Sequence, residues 1–268
     1  MVNVFQKIQR LLRLSKERKP TVTFATSCWE KDWKKLVCDP AYLQTLQIGN
    51  HNYPFDDTML IINNVVDLQT VKRSAEDLVK RKIVHRVIPA DDHEQEILSF
   101  FELDRSRFKA GSDAHLYENV TDDWVFYNAR GILTALYFCQ TEYFLYLTGD
   151  SFLEEKINWI PRAIDCMNRD PSFKVANLTW NHCYREAKKE SYGTKRDFYV
   201  SRTGFSDQCF LVRTSDFRQP IYHEVLPEAT QYPRGDVLEK RIFSYMRNRD
   251  WKRLTYRHGS YMHKNIEG

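Results

Sequence analysis

Hydrophobic and polar positions along the first hundred residues predict strands and helices in alternation. Residues 21–27 are β-branched and alternate in polarity, which predicts a first strand, and apolar runs predict two more at 58–66 and 82–89. Helical patterns follow each strand, near residues 28–37, 71–80 and 91–101. Strands that alternate with helices predict a parallel sheet covered by helices, so the fold class is α/β.

The second half of the chain continues the pattern less regularly. Residues 104–121 predict a loop, and 183–197 are polar and predict an exposed excursion. Pro161 falls inside a predicted helix and is expected to break or kink it. The remaining elements are helices at 124–140, 153–169 and 236–249, and strands at 143–150, 173–180, 204–213 and 252–256.

The most apolar of these strands ends in a polar turn. Five apolar or aromatic residues, 143–147, precede Thr148, Gly149 and Asp150. A run of this kind is typical of a strand covered on both faces. Ligands of open α/β sheets bind at the carboxyl ends of strands, where a carboxylate suits a divalent cation that carries phosphates. The alternative is that Asp150 only caps the following helix.

Composition narrows the class of protein. The chain has 268 residues, of which 42% are hydrophobic, enough for one large domain or two small ones. No apolar run is long enough to span a membrane, and the first residues lack a signal-peptide core. Six scattered cysteines without a C-x-x-C pair indicate reduced thiols in a cytoplasmic protein.

The positive charge is concentrated at the amino terminus. Residues 1–19 hold six basic side chains and one acidic, so the remaining chain carries a net −1 of the total +4. The nearly neutral body argues against a nucleic-acid partner. Residues 2–16 predict a basic amphipathic helix. It either docks on its own domain or on a second subunit, as in a homodimer, or lies on the inner face of a membrane.

Two central segments and three later ones resemble a known family. Residues 127–131 read Tyr-Asn-Ala-Arg-Gly, and residues 141–150 read Thr-Glu-Tyr-Phe-Leu-Tyr-Leu-Thr-Gly-Asp. Together they resemble GT-A-fold glycosyltransferases that use nucleotide-sugar donors, of the family-two type. Thr148 replaces the first aspartate of the family's Asp-x-Asp motif. The further matches are the arginine at Arg130, the glycine loop at Gly204–Asp207, the acidic helix at Asp236 and Glu239, and late histidines at His258 and His263.

The resemblance implies a fold, a reaction and a cofactor. The fold is a single GT-A-type domain over 20–268, with a donor half at 20–150, an acceptor half at 151–268 and the amphipathic helix at 1–19. The reaction moves a sugar from a nucleotide-sugar donor to a hydroxyl of a polysaccharide, glycolipid or other glycan. The cofactor is Mn²⁺ or Mg²⁺, held by Asp150 with His258 or His263; imidazole favours Mn²⁺.

The remaining site residues divide between the base, the donor and the acceptor. Glu239 is the expected general base and Asp236 the alternative, and a base opposite the leaving group predicts inversion. Arg130 pairs with the diphosphate or only forms a surface ion pair. Trp180 stacks on an acceptor sugar or belongs to the core. The other expected donor residues are Thr26, Ser27, Asn63, Thr148 and Gly149, and the other acceptor residues are Gly204 and Asp207.

Two other functions remain open at this point. A sugar-nucleotide nucleotidyltransferase also uses a sheet-edge aspartate and Mg²⁺, but usually has a glycine-rich loop after the first strand. Residues 26–30 contain no glycine. The missing first aspartate also leaves open a non-catalytic sugar-binding protein with the same fold.

Overall fold

The computed structural model describes residues 19–117, 119–202 and 204–263, and they form one ten-stranded sheet with helices on both faces. The strands are β1 (Val22–Cys28), β2 (Asp57–Ile62), β3 (Arg86–Pro89), β4 (Tyr143–Leu147), β5 (Ser151–Phe152), β6 (Phe173–Trp180), β7 (Gly193–Lys195), β8 (Phe198–Ser201), β9 (Cys209–Arg213) and β10 (Lys252–His263). The α-helices are α1 (Trp33–Cys38), α2 (Leu68–Lys80), α3 (Glu94–Phe100), α4 (Asp122–Phe138), α5 (Ile160–Arg169), α6 (Tyr184–Lys189), α7 (Thr214–Phe217) and α8 (Leu238–Asn248).

The sheet is mostly parallel, as the sequence predicts. Its order is β3-β2-β1-β4-β9-β6-β10-β8-β7, and β5 pairs with β10 outside this path. Within the path only β9 and β8 run against the other strands. The carboxyl ends of β1, β2, β4, β6 and β10 therefore meet the beginning of β9 at one edge, called the carboxyl edge below.

The apolar strand at the centre of the sheet is buried on both faces. All five residues of β4 are buried. Tyr143, Leu145 and Leu147 join the core beneath α1, α2 and α5, whereas Phe144 and Tyr146 join the core beneath α3, α4 and α8. Because successive side chains of a strand point to opposite faces, an unbroken apolar run fits this position.

Three predicted elements differ from the observed ones. Helix α5 begins at Ile160, so Pro161 lies in its first turn and does not break it; a first-turn residue has no N–H partner to lose. Strand β10 continues past 256 to His263, with a register shift between Tyr256 and Ser260. The polar excursion contains α6 and β7. The amphipathic helix predicted over 2–16 lies outside the described residues.

Two further structural findings concern the helices and the cysteines. Among the described residues, no helix is long and apolar enough to cross a membrane. All six cysteines lie in the described ranges, and none of them forms a disulfide.

Candidate active site

A histidine contacts Asp150, the aspartate in the turn that follows the central strand β4. Oδ2 of Asp150 lies 3.0 Å from Nε2 of His263, the last residue of β10. The pairing of His263 with Ser151 in β5 brings the two chain segments together. The hydrogen bond to Asp150 raises the pKa of His263 above its ordinary value. Both side chains are about three-quarters buried, each 28% exposed.

The backbone of Asn181 and its side chain fix the end of β10. Oδ1 of Asn181 accepts a hydrogen bond from the backbone N–H of His263 at 2.7 Å. Asn181 has a φ of 41° and His182 a φ of 56°, both in the left-handed region that is costly for residues with a Cβ. The strained turn after β6 thus holds His263 against Asp150.

The turn that carries Asp150 rests on a buried glutamine and a tyrosine. The π-helix Tyr42–Ile48 lies between α1 and β2. Nε2 of Gln47 donates to the carbonyl oxygens of Thr148, Gly149 and Ser151, at 3.0, 3.0 and 2.8 Å. The hydroxyl of Tyr42 donates to the carbonyl of Gly149 at 3.1 Å. A turn whose carbonyl groups are bonded in this way is held rigidly.

A second aspartate lies behind the same turn. A Cβ built on Gly149 would lie 2.9 Å from Oδ2 of Asp32 and 2.5 Å from the carbonyl oxygen of Ser27, so only glycine fits there. Oδ1 of Asp32 accepts from the backbone N–H of Trp29 at 2.6 Å. Burial raises the pKa of Asp32 to about 7, and the charge of Asp150 adds to the shift. Asp32 and Asp150 therefore repel each other unless a cation or a proton intervenes.

Two further carboxyl groups, the buried Asp207 and the half-buried Glu239, form an acid pair near the beginning of β9. The backbone N–H of Asp207 donates to Oε1 of Glu239 at 3.0 Å, and the two carboxyl groups also share a hydrogen bond. Burial raises the pKa of Glu239 well above its usual value, and the charge of Asp207 raises it further. The pKa of Asp207 is also raised, mainly by burial and also by the charge of Asp150. Because the pKa values of both carboxyl groups are raised, the pair favours a bound proton at a pH at which an isolated carboxyl group would lose it.

The charge around this edge is predominantly negative. Asp32, Asp150, Asp207 and Glu239 act on one another electrostatically. The positive charge of Arg234 lowers the pKa values of Asp207 and Glu239, against the larger effect of burial. Among the described residues, no three His, Cys, Asp or Glu side chains are arranged as a complete metal site.

Three expected donor residues are buried in the sheet. Thr26 is fully buried in the interior of β1. Ser27 is buried, and its hydroxyl lies 2.6 Å from that of Tyr146. Asn63 is fully buried and donates to the carbonyl of Tyr127 at 2.7 Å. All three residues lie at or near the carboxyl ends of β1 and β2, with their side chains buried in the protein.

The guanidinium of Arg130 is bonded to other side chains of the protein. Its guanidinium pairs with Asp91 and with Oε2 of Glu94, the latter at 2.7 Å, and its Nε donates to Oδ1 of Asn63 at 2.9 Å. The side chain is 4% exposed. The expectation that Arg130 binds the diphosphate is therefore replaced by the alternative, an ion pair, which here is buried and not at the surface.

The structure distinguishes between the two candidate bases and between the two candidate metal-binding histidines. Asp236 pairs with Lys240 at 3.3 Å, an i,i+4 ion pair, whereas Glu239 contacts Asp207. His258 is 57% exposed and lies 3.8 Å from Asp197, whereas His263 contacts Asp150. Of the two histidines, His263 is therefore the one that the structure brings to Asp150.

The expected acceptor residues are spread along the same end of the sheet. Trp180 ends β6 and is half-buried against the core. Gly204 has a φ of +79°, and a Cβ on it would lie 2.7 Å from Nη1 of Arg253. Asp207 belongs to the acid pair and therefore lies beside Glu239, the expected base.

Four residues of this edge were not found from the sequence. Asp32 follows β1 by four residues, and the rule that ligands bind at the carboxyl ends of strands would have included it if applied to the whole loop. Gln47, Asn181 and Arg234 carry no motif, and only their contacts show what they do.

Comparisons with known proteins give matches among solved structures alone. No protein-family model matches the chain, and no curated protein matches it. A structure of GalNAc-T7 with UDP, GalNAc and Mn²⁺ has a TM-score of 0.50 and 10% identity, over 91% of this chain and 43% of that one. UDP-glucose pyrophosphorylase complexed with UDP-glucose has a TM-score of 0.47 and 8% identity, over 90% and 92%.

A third structure, glucosyl-3-phosphoglycerate synthase from Mycobacterium tuberculosis, has a TM-score of 0.37 and 7% identity, over 73% of this chain and 57% of that one. The chain thus spans less than two thirds of the length of the synthase and of GalNAc-T7. Identities this low inform on architecture alone. The chain has the GT-A-type α/β fold of nucleotide-sugar glycosyltransferases.

Proposed function

We propose that the protein transfers a sugar from a nucleotide-sugar donor to a hydroxyl group of an acceptor, with the help of Mn²⁺ or Mg²⁺. The acceptor is a glycan or a lipid-linked glycan. The observation that carries the proposal is the contact between Asp150 and His263, which lies at the carboxyl edge of a GT-A-type sheet beside the acid pair.

The donor atoms of Asp150 and His263 fit a divalent cation. Two ligands bound at right angles to an ion about 2.1 Å away lie about 3.0 Å apart. Oδ2 of Asp150 and Nε2 of His263 are 3.0 Å apart. Two protein ligands suffice when phosphate oxygens and water complete the shell. The excess of carboxylates around them also favours a cation, and it would repel a diphosphate bound without one.

A cation held there would neutralise the diphosphate leaving group as the bond to the sugar breaks. The chain's own contribution is rigidity. Gln47 and Tyr42 fix the carbonyl groups around Asp150, and Asn181 fixes the backbone of His263. The geometry of both ligands is thus established before the donor binds.

The acid pair supplies the base. Because Asp207 and Glu239 share a proton, one of the two is ionised and accepts the proton of the acceptor hydroxyl. We assign this role to the pair, with Glu239 as the member on α8, and not to Asp236. A carboxylate that acts opposite the leaving group gives inversion of the anomeric carbon.

We also propose that the site lies between two halves of one domain over residues 20–268. The donor half, 20–150, contributes Asp32 and Asp150, and the acceptor half, 151–268, contributes His263 and the acid pair. The cysteines without disulfides fit a reducing compartment, the cytoplasm. Pull-down by anionic vesicles at low salt, compared for the full chain and a chain lacking residues 1–18, tests membrane contact by the amino terminus.

A donor screen tests the function. UDP-, GDP- and CDP-sugars are incubated with Mn²⁺ or EDTA, and release of the nucleoside diphosphate is measured. Wild type is expected to release it only with the cation, and Asp150→Asn to release at least about 100-fold less. Asp77→Asn, at an exposed position of α2, is the control.

The same screen separates the alternatives. A nucleotidyltransferase would instead release pyrophosphate from a nucleoside triphosphate and a sugar 1-phosphate. Binding of a sugar without any turnover would favour a non-catalytic protein. Either result would contradict the proposal.

A further inference from the structure

We propose that Arg234 is the side chain that pairs with the diphosphate of the donor and of the nucleoside diphosphate product. The inference rests on the proposed function and gives Arg234 the role that the sequence resemblance assigned to Arg130. Arg130 cannot take it, because Asp91, Glu94 and Asn63 already occupy its guanidinium in the interior.

The backbone around Arg234 packs closely against residues 109–111, and each of the two segments has a glycine at the contact. The N–H of Gly111 donates to the carbonyl of Arg234 at 3.2 Å, and the N–H of Asp236 donates to the carbonyl of Lys109 at 2.8 Å. A Cβ on Gly111 would lie 2.6 Å from the carbonyl oxygen of Pro233, and Gly235 has a φ of +117°. Because these contacts fix the backbone of the loop, the Cα of Arg234 has a defined position.

That place borders the acid pair. The hydroxyl of Tyr232 accepts from the backbone N–H of Phe205 at 2.7 Å, two residues before Asp207. On the other side of Arg234, Glu239 in the first turn of α8 accepts from the N–H of Asp207. Contacts on both sides of Arg234 thus tie its loop to the beginning of β9. The positive charge of Arg234 also acts on His263, the residue that contacts Asp150.

The guanidinium of Arg234 is supported but not paired. It lies 5.4 Å from the ring centroid of Tyr117 and 5.6 Å from that of Trp124. Within the ranges that the structure describes, no carboxylate pairs with it, whereas the guanidinium of Arg253, for example, pairs with Glu190. Arg234 is exposed, so its guanidinium is accessible to a ligand.

A diphosphate is the ligand that this arrangement suits. An edge that holds four carboxyl groups attracts a cation but repels phosphate oxygens. A planar guanidinium binds two phosphate oxygens at once and, unlike a metal ion, does not need a carboxylate to hold it. Arg234, which lies beside the carboxylates, therefore neutralises the negative charge of the diphosphate that the divalent cation alone leaves.

Binding of diphosphates and monophosphates separates this role from a structural one. UDP, GDP and CDP, and the matching monophosphates, are titrated calorimetrically in Mn²⁺ into wild type, Arg234→Gln and Arg234→Lys. Arg234→Gln is expected to weaken diphosphate binding by about 10- to 100-fold, the range for hydrogen bonds to charged groups, and monophosphate binding by about threefold or less. Lysine restores part of the loss. Arg202→Gln, which removes an exposed arginine paired with Asp250, is the control.

Each other outcome is decisive. Diphosphate binding by Arg234→Gln equal to that of wild type overturns the inference, as does an equal loss for monophosphates and diphosphates. If those results accompany a loss of binding in Asp150→Asn, the proposed function stands and only the role of Arg234 falls. If wild type binds no diphosphate with Mn²⁺, both fall. The thermal unfolding midpoint of each variant verifies that it is folded.

Discussion

Gln47 holds Gly149 in place: its Nε2 donates to the glycine carbonyl oxygen at 3.0 Å across more than a hundred residues of sequence. The same nitrogen bonds the carbonyls of Thr148 and Ser151. One buried amide thus fixes the turn on which Asp150 is mounted. Its orientation is unambiguous, because the amide oxygen in that position would face three carbonyl oxygens.

Replacement of Gln47 is expected to loosen the turn. Gln47→Ala leaves buried carbonyl groups unbonded, so the free energy of unfolding falls by about 1–3 kcal/mol. Affinity for Mn²⁺ in the presence of UDP falls about 10- to 100-fold, the usual effect of losing a residue that orients a ligand. Gln44→Ala, at an exposed position of the same helix, is the control for urea unfolding and metal titration. Equal Mn²⁺ affinity in the two variants would show that the turn needs no such support.

Gly149 is expected to tolerate no side chain. A Cβ there would come within 2.5 Å of the carbonyl oxygen of Ser27 and would overlap Leu36. Gly149→Ala should lower the free energy of unfolding by about 1–3 kcal/mol, the cost of overpacking. Gly193→Ala is the matched control, because nothing lies within 4 Å of its Cβ, and should change it by less than about 0.5 kcal/mol. Urea unfolding of both variants measures the difference, which should vanish if the packing is loose.

Glu239 is expected to influence both activity and the pH dependence of stability. Its pKa is raised in the folded state, chiefly by burial, so its contribution to stability is complete below about pH 4.5 and is lost as the pH rises through the raised pKa. Glu239→Gln should therefore lose less stability than wild type between about pH 5 and pH 8. Its kcat should fall about 10²- to 10⁴-fold, because the variant disrupts the acid pair from which the proposed general base comes.

Glu186→Gln, at an exposed position of α6, is the control for Glu239→Gln. The two variants are compared by urea unfolding at several pH values and by turnover of the donor identified in the screen. Wild-type turnover in Glu239→Gln would remove the acid pair from the mechanism, and an unchanged pH slope would show that no proton is shared.

His51 is expected to make the protein less stable in acid. Burial among aromatic rings lowers its pKa to about 3, while Nδ1 accepts from Nε1 of Trp159 at 3.1 Å. The unfolded chain binds a proton below about pH 6.5 and the folded chain does not, so stability falls as the pH falls from about 6.5 toward 3. The loss attributable to His51 is about 2 kcal/mol between pH 7.5 and 5.

The measurement is urea unfolding at those two pH values. His51→Asn keeps an acceptor for Trp159 but cannot be protonated, and it should lose about 2 kcal/mol less than wild type. His115→Gln, at an exposed position, should behave as wild type. A His51→Asn variant with the wild-type dependence would assign the acid sensitivity to other groups.

The sequence predicted the parts of the fold that periodicity determines. The apolar run before Thr148 predicted β4 as a strand covered on both faces, and Asp150 follows its carboxyl end, where the sequence analysis expected it. Strand β6 was predicted with its observed bounds, 173–180. These features follow from local composition and from the general geometry of α/β sheets.

Residue contacts across the chain could not be predicted in the same way. The spacing of five residues puts His258 and His263 on opposite faces of a strand, but it does not say which of them meets Asp150; the fold brings His263 there. Arg130 matched a family position, but its fate depended on Asp91 and Glu94, which lie in a different element. Choices of this kind depend on strand register and on distant partners, which a pattern along one chain does not contain.

Binding of Mn²⁺ measured by electron paramagnetic resonance tests the central claim most directly. Free Mn²⁺ is titrated with wild type, Asp150→Asn and His263→Gln, each with UDP, GDP or CDP. The account predicts that wild type binds one ion with a nucleoside diphosphate, and that each variant binds it at least about 10-fold more weakly. Mn²⁺ binding that is the same in all three proteins, or absent from wild type with every nucleotide, would contradict it.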